Sequence, residues 1–391
     1  MPGPPALVGV AGGGRWARVI VGVLAGVLPA STRILIASPR NQRGMRAYAE
    51  AQGFGDRVLV CGAVDELAAA RPDAAIVANA SRDHEQTAMR LIAASVPVLV
   101  EKPFALTAEG ARRLIERAHE GGVPIAAALV LRFAPFVTDL AQLPGATESA
   151  RVLVFWSDAA AELRHGEPKR YDPGVPVIAD VLPHVIGILR DLGCRGAFEC
   201  GELRLEDGGA IVHLEGSFGD RPSVIALARN AERRQRRIVI ETSERLEVDF
   251  VVEPATIRRN WEPLPTQPRA PGPLASMLAA FLRFAVDRRQ DERLRADVAL
   301  DACEVVDRIM PSYERAQAGW LGARLAQETP DSGIRYALRE MLARAGPELP
   351  LDPRLDQIAW ERLRASAHGQ EFYPFDRGWM RGLTAPSRDS A

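Results

Sequence analysis

Residues 6–17 read ALVGVAGGGRWA, from Ala6 to Ala17. Residues 6–10 form a short apolar run of strand length, and Gly12-Gly13-Gly14-Arg15-Trp16-Ala17 follows as a G-x-G-x-x-A pattern opening a helix. The order is strand, tight turn, helix. Gly12 permits the turn, Gly14 lets the backbone approach a pyrophosphate at the positive helix end, and Ala17 allows close packing of helix on strand. Gly13, Arg15 and Trp16 complete the turn as candidate cofactor contacts. A glycine-rich loop alone is a weak signal, because flexible turns share its composition, so the flanking segments decide.

A second strand-like run, residues 33–37, ends about twenty residues downstream, where an acidic residue would receive the ribose 2′-hydroxyl of NAD. Here the strand end reads Ser38-Pro39-Arg40, with Arg43 following. A hydroxyl and guanidinium groups suit a 2′-phosphate, which favours NADP(H), with NAD(H) the alternative; the bland reading is a solvated basic loop. Strand-like and helix-like segments then alternate: residues 57–61, a helix near 64–70, residues 74–78, a helix over 84–95, and residues 96–100. That alternation predicts a parallel sheet with helices on both faces and a ligand beyond the carboxyl ends of the strands. Asn79, Ala80 and His84 stand at one such end, Glu101 and Lys102 at another. His84 either caps its helix or lines the cofactor site.

The 391 residues exceed what one hydrophobic core usually serves, which favours two domains. With 49 basic and 50 acidic residues the formal charge is -1, so there is no electrostatic footprint for nucleic acid or an anionic membrane. Four cysteines without a CxxC pair read as reduced thiols, and no metal site is expected. Residues 19–30 are apolar behind Arg15 and Arg18, in the manner of a signal peptide, but the glycines before them and the strand after them explain the same residues as the first helix of a nucleotide-binding unit. A cytoplasmic protein is expected. Of the 49 basic residues only Lys102 and Lys169 are lysines. Where any cation serves, this chain uses arginine, so a surviving ammonium, compact and able to lose its proton, points to chemistry at Lys102.

GVAGGGRWA at the start, PDAAIVANASRDH (72–84), VPVLVEKPFALT (96–107), LRFAP (131–135) and the D-x-x-x-H of Asp180 and His184 together resemble the Gfo/Idh/MocA family of glucose-fructose oxidoreductase and inositol dehydrogenase. Val175, Pro176 and Val177 depart from it, standing where glycines usually precede the aspartate. The resemblance implies an α/β chain: an N-terminal Rossmann doubly wound parallel sheet, plus a C-terminal α+β domain with a large mostly antiparallel or mixed sheet. It implies that Lys102, Asp180 and His184 form the catalytic constellation and that Pro103 follows a cis bond. Chemistry gives the same roles: hydride transfer at a carbinol or carbonyl carbon needs a partner that moves the hydroxyl proton, and the near-neutral pKa of histidine makes His184 the general acid/base. On a helix Asp180 and His184 share one face, where Asp180 contacts substrate or orients the imidazole. Lys102 would bond the substrate oxygen and stabilise alkoxide charge.

Successive strands without helices from about residue 150 support the second sheet. The expected division is 1–128 for nucleotide binding, 129–335 for substrate binding and subunit contact, and 336–391 as an extension with an aromatic end. Lys169 and Tyr171, in a polar loop before the D-x-x-x-H helix, and Arg132 are further substrate-binding candidates. In the resembling family the sheet's open face serves subunit contact, so a homodimer or homotetramer is expected. The reading is an NADP-dependent oxidoreductase acting on a hydroxyl or carbonyl of a polar small molecule such as a sugar, sugar derivative or cyclitol. An imine reductase and a non-catalytic NAD(P)-binding regulator are the alternatives.

Overall fold

The structure, a computed structural model, describes residues 3–146, 151–159, 162–164, 167–168, 175–206 and 209–327. Six strands make the first sheet: β1 (Leu7–Ala11), β2 (Arg33–Ala37), β3 (Val58–Cys61), β4 (Ala74–Val77), β5 (Val98–Glu101) and β6 (Ile125–Ala128). Their order is β3-β2-β1-β4-β5-β6 and every pairing is parallel. The order reverses between β1 and β4, the position at which an open α/β sheet leaves its ligand crevice. Helices α1 (Arg15–Val27), α2 (Gln42–Ala51), α3 (Val64–Ala69), α4 (His84–Ala93), α5 (Ala108–Glu120) and α6 (Pro135–Ala141) accompany it.

All four residues of β4 and of β5 are buried, as strands covered on both faces require. On one face Val8, Val10, Ile34 and Ile36 pack with Ile20 and Leu24 of α1 and with Met277 and Phe281 of α8 (Pro273–Asp287). On the other, Val77, Val98 and Val100 pack with Leu91 of α4 and Leu114 of α5.

The second sheet runs β10-β11-β12-β7-β13-β14-β15-β16. Its members are β7 (Arg151–Ala159), β10 (Phe198–Glu206), β11 (Ile211–Phe218), β12 (Arg221–Ala231), β13 (Gln235–Glu241), β14 (Arg245–Asp249), β15 (Thr256–Arg259) and β16 (Glu262–Leu264). β12 and β7 pair in parallel and the other pairs are antiparallel, so the sheet is mixed, as the helix-free run of strands predicted. β8 (Leu163–Arg164) and β9 (Glu167–Pro168) form a separate short hairpin. Helices α7 (Val177–Asp191) and α9 (Ala296–Gln327) complete the described chain.

Two compact units result, and they do not follow the chain continuously. One comprises Met1–Thr147, Pro183–Cys194 and Thr266–Glu304; the other comprises Glu148–Leu182, Arg195–Pro265 and the chain from Val305. α8 thus returns to the first unit, because its apolar side completes that sheet's cover. The proposed extension 336–391 lies outside the described residues. No helix among the described residues is long and apolar enough to cross a membrane.

Candidate active site

The turn after β1 is built for close approach. Gly12 has φ +156, its N–H donates to the Ala37 carbonyl at 2.9 Å, and a Cβ there would lie 2.5 Å from the Ala78 carbonyl oxygen. Only glycine fits between those two strand ends. A Cβ on Gly13 would meet the Ser38 hydroxyl, and the Gly13 carbonyl accepts the Asn41 amide at 2.7 Å. Gly14 is different: a Cβ there meets nothing within 4 Å, and the residue caps α1 with no side-chain bond to the first-turn N–H groups. The first-turn N–H groups of a helix lack intrahelical partners and carry its positive end, and Nη1 of Arg15 beside them is buried without a hydrogen-bond partner. The turn therefore fits the pyrophosphate of a dinucleotide.

At the end of β2 the structure separates residues that the sequence groups together. Ser38 is 1% exposed, and its hydroxyl, under Gly13, is buried without a hydrogen-bond partner. Ser38 packs beneath the glycine turn, and Arg40 and Arg43 are exposed. Asn41, absent from the sequence reading, ties the start of α2 to the glycine turn.

The ends of β4 and β5 are bonded to one another through α4. His84, fully buried, places Nδ1 2.8 Å from the Pro103 carbonyl oxygen and Nε2 3.2 Å from that of Asn79. Burial holds its pKa below the ordinary histidine value; the two carbonyl contacts oppose that shift and the Lys102 ammonium adds to it. The Asn79 amide donates to Thr87 at 2.8 Å while its Oδ1 is buried without a partner. Ala80 lies half-buried beside it.

Glu101 is 6% exposed. Its Oε1 accepts the Trp16 indole N–H at 2.7 Å, and its Oε2 accepts the backbone N–H of Lys102 at 3.2 Å. Burial pushes the Glu101 carboxyl up, against the opposing pull of Trp16 and Lys102. Lys102 is half-buried at the mouth of β5, and the peptide between it and Pro103 is cis.

On α7, Asp180 and His184 stand one turn apart with Pro183 between them. His184 belongs to the same compact unit as Lys102, and Asp180 to the other. Within that second unit Oδ2 of Asp180 accepts Nη2 of Arg229 at 3.0 Å, with Arg229 2% and Asp180 21% exposed at the side chain. Arg229 escaped sequence reading, although a charge ending the apolar run of residues 223–228 was a signal for it.

Arg132 lies buried in the first unit. It is 6% exposed, pairs bidentately with Asp191 at 3.0 and 2.6 Å, and gives Nη1 to the carbonyls of Glu292 and Arg293. Four of its five N–H donors are used inside the first unit, joining α7 to the turn before α9. Lys169 and Tyr171 lie outside the described residues. No group of three His, Cys, Asp or Glu among the described residues is placed to hold a metal ion.

Comparison with known proteins bears on the fold that carries these residues. Residues 6–128 match the model of the Gfo/Idh/MocA oxidoreductase family, described by its NAD-binding Rossmann fold. Inositol 2-dehydrogenase 2 of Saccharopolyspora erythraea is 33% identical over 116 residues, which is 29% of this chain and 33% of that protein. The aligned stretch thus spans about a third of the length of the curated relatives. UDP-N-acetylglucosamine 3-dehydrogenase from Acidithiobacillus ferrooxidans superposes with a TM-score of 0.66 at 20% identity, covering 81% of this chain and all of that one (100%). Aldose-aldose oxidoreductase from Caulobacter crescentus does so at 0.66 and 16% identity, over 80% of this chain and 97% of that one. At such identities the likeness is one of fold. Residues 6–128, the part that carries the glycine turn and the Lys102 strand, are thus similar to the NAD-binding Rossmann fold of the Gfo/Idh/MocA oxidoreductase family.

Proposed function

We propose that the protein is an NADP(H)-dependent oxidoreductase that acts on a secondary hydroxyl or carbonyl of a sugar, sugar derivative or cyclitol, with NAD(H) as the weaker cofactor. The observation that carries this reading is the placement of Lys102 at the mouth of β5, in the same unit and at the same edge as the β1/β4 crevice. The names of the relatives, an inositol dehydrogenase, a nucleotide-sugar dehydrogenase and an aldose oxidoreductase, support the polyol class.

The N–H groups of the Gly14–Trp16 turn and Arg15 bind the pyrophosphate, and Arg40 and Arg43 bind a 2′-phosphate. Glu101 and Lys102 lie toward the nicotinamide ribose, and Asn79, Ala80 and His84 line the crevice. When bound, the dinucleotide supplies the hydride acceptor or donor at its nicotinamide C4. Oxidation takes a hydride from the carbinol carbon and a proton from its hydroxyl. His184 accepts that proton and returns it in the reverse direction. Lys102 donates to the same oxygen and stabilises the alkoxide charge that develops there. Asp180, held by Arg229, orients the imidazole or a neighbouring hydroxyl. Apolar, half-exposed Leu153, Phe155 and Val224 lie on one face of β7 and β12, which supports a homodimer or homotetramer joined through that sheet.

The test is turnover, followed by nicotinamide absorbance, across inositols, aldoses, UDP-sugars and an imine. Wild type should turn over a polyol, and Lys102→Ala and His184→Ala should each lose roughly 10²–10⁴-fold in kcat. Wild-type rates in both variants would contradict the assignment, and turnover of the imine alone would move the substrate class.

A further inference from the structure

We propose that Trp16 and His84 are positioning residues that clamp Lys102 from both sides; this deepens the function proposed above and rests on the role given there to Lys102. A lysine side chain has a flexible four-carbon stem, so the part of it that a fold can fix is its root. Here both neighbours of that root are tied down. Glu101, immediately before Lys102, bonds through one carboxyl oxygen to the Trp16 indole at 2.7 Å and through the other to the Lys102 N–H at 3.2 Å. Pro103, immediately after it, has its carbonyl oxygen 2.8 Å from Nδ1 of His84.

The two ties lead to opposite faces of the sheet. Trp16 lies in the first turn of α1, which packs on the face of Val8 and Val10, and His84 opens α4, which packs on the face of Val77 and Val98. Rotation of the β5 end toward either face therefore stretches one tie or the other. Packing alone does not call for a carboxyl here: a buried carboxyl is costly without compensating bonds, and Glu101 receives two donors, one of them the backbone of Lys102 itself. Trp16 stands in the glycine turn, so the same contact couples the root of Lys102 to the segment that faces a dinucleotide.

Lys102 and Lys169 are the chain's two lysines, so acylation by acetic anhydride, read peptide by peptide in a mass spectrometer, reports Lys102 against an internal reference. In the full-length chain, Trp16→Phe and His84→Leu should each raise Lys102 acylation relative to Lys169 by at least about threefold, the scale of one lost hydrogen bond. His84→Gln, whose amide can donate to the Pro103 carbonyl, should return the ratio close to wild type. Thermal midpoints measured alongside identify a variant that has merely unfolded, and the other substitution then decides. An unchanged ratio in the folded Trp16→Phe and His84→Leu chains overturns the clamp, as does an equal rise in His84→Gln and His84→Leu. Full turnover in Lys102→Ala would instead overturn the function proposed above while leaving the labelling result intact.

Discussion

The two sheets use their strands in different ways. In the parallel sheet β4 and β5 are buried along their whole length, and what they present is their carboxyl ends: Asn79 at one, Glu101 and Lys102 at the other. In the mixed sheet, β10 alternates between buried or half-buried and exposed residues, and its strands present faces. A site at strand ends is assembled from residues contiguous with the strands. A site on a face is assembled by register, as when Arg229 on β12 reaches Asp180 from 49 positions away. Each sheet's unit also holds a buried arginine–aspartate pair: Arg132 with Asp191 in the first, and Arg236 with Asp158 in the second.

Those pairs give the largest effect. Arg236→Met strands the buried Asp158 and should destabilise by about 3–5 kcal/mol in denaturant unfolding, whereas Arg132→Met, which leaves the partly exposed Asp191, should cost less, about 1–3 kcal/mol. The contrast between structural and functional arginines breaks if Arg132→Met keeps wild-type stability and raises KM for substrate alone. Next come the glycines of the turn. Gly12→Ala forces a Cβ against the Ala78 carbonyl and should cost about 1–3 kcal/mol, whereas Gly14→Ala, with open space around it, should leave the unfolding midpoint unchanged. Equal costs at the two positions would refute the packing account.

Smaller still is a pH effect at the clamp. His84 has a lowered folded pKa, so below about pH 6.5 the unfolded chain binds a proton that the folded chain does not, and stability falls as pH falls toward the folded value. Glu101 has a raised folded pKa and the opposite sign: its contribution is complete in acid and is lost as pH rises through the folded value. Between pH 7 and 5, His84→Gln should therefore lose less stability than wild type, by up to about 1 kcal/mol per pH unit, and Glu101→Gln should lose more. Identical slopes in the two variants would contradict both assignments. Smallest of all is Arg113, exposed on α5 and bonded to Glu85 and Glu109. Arg113→Ala should leave the thermal midpoint unchanged, because solvent screens such pairs.

The same difference explains what could be read in advance. The glycine turn, the parallel class of the first sheet and the places of Asn79, Glu101 and Lys102 at strand ends are all legible, because strand, turn and helix follow one another in the chain. The mixed sheet is legible as a class, yet its pairing is not, since nothing local in residues 151–159 announces that Gln235–Glu241 and Arg221–Ala231 flank them. The bonds of Arg132 are illegible for the same reason: its partner Asp191 lies 59 residues away and its carbonyl acceptors about 160. The burial of Ser38 is illegible too, because nothing local in the sequence places Gly13 over its hydroxyl.

The measurement that tests the central claim most directly is a fluorescence titration of the purified chain with NADPH and NADH, beside the double variant Arg40→Ala/Arg43→Ala. Saturable binding of both, with NADPH the tighter, is predicted, and the double variant should weaken NADPH by roughly tenfold or more while leaving NADH nearly unchanged, as loss of charge-assisted bonds to a 2′-phosphate requires. Absence of binding by either nucleotide to the wild-type chain would contradict the reading of the glycine turn on which the proposed chemistry at Lys102 and His184 depends.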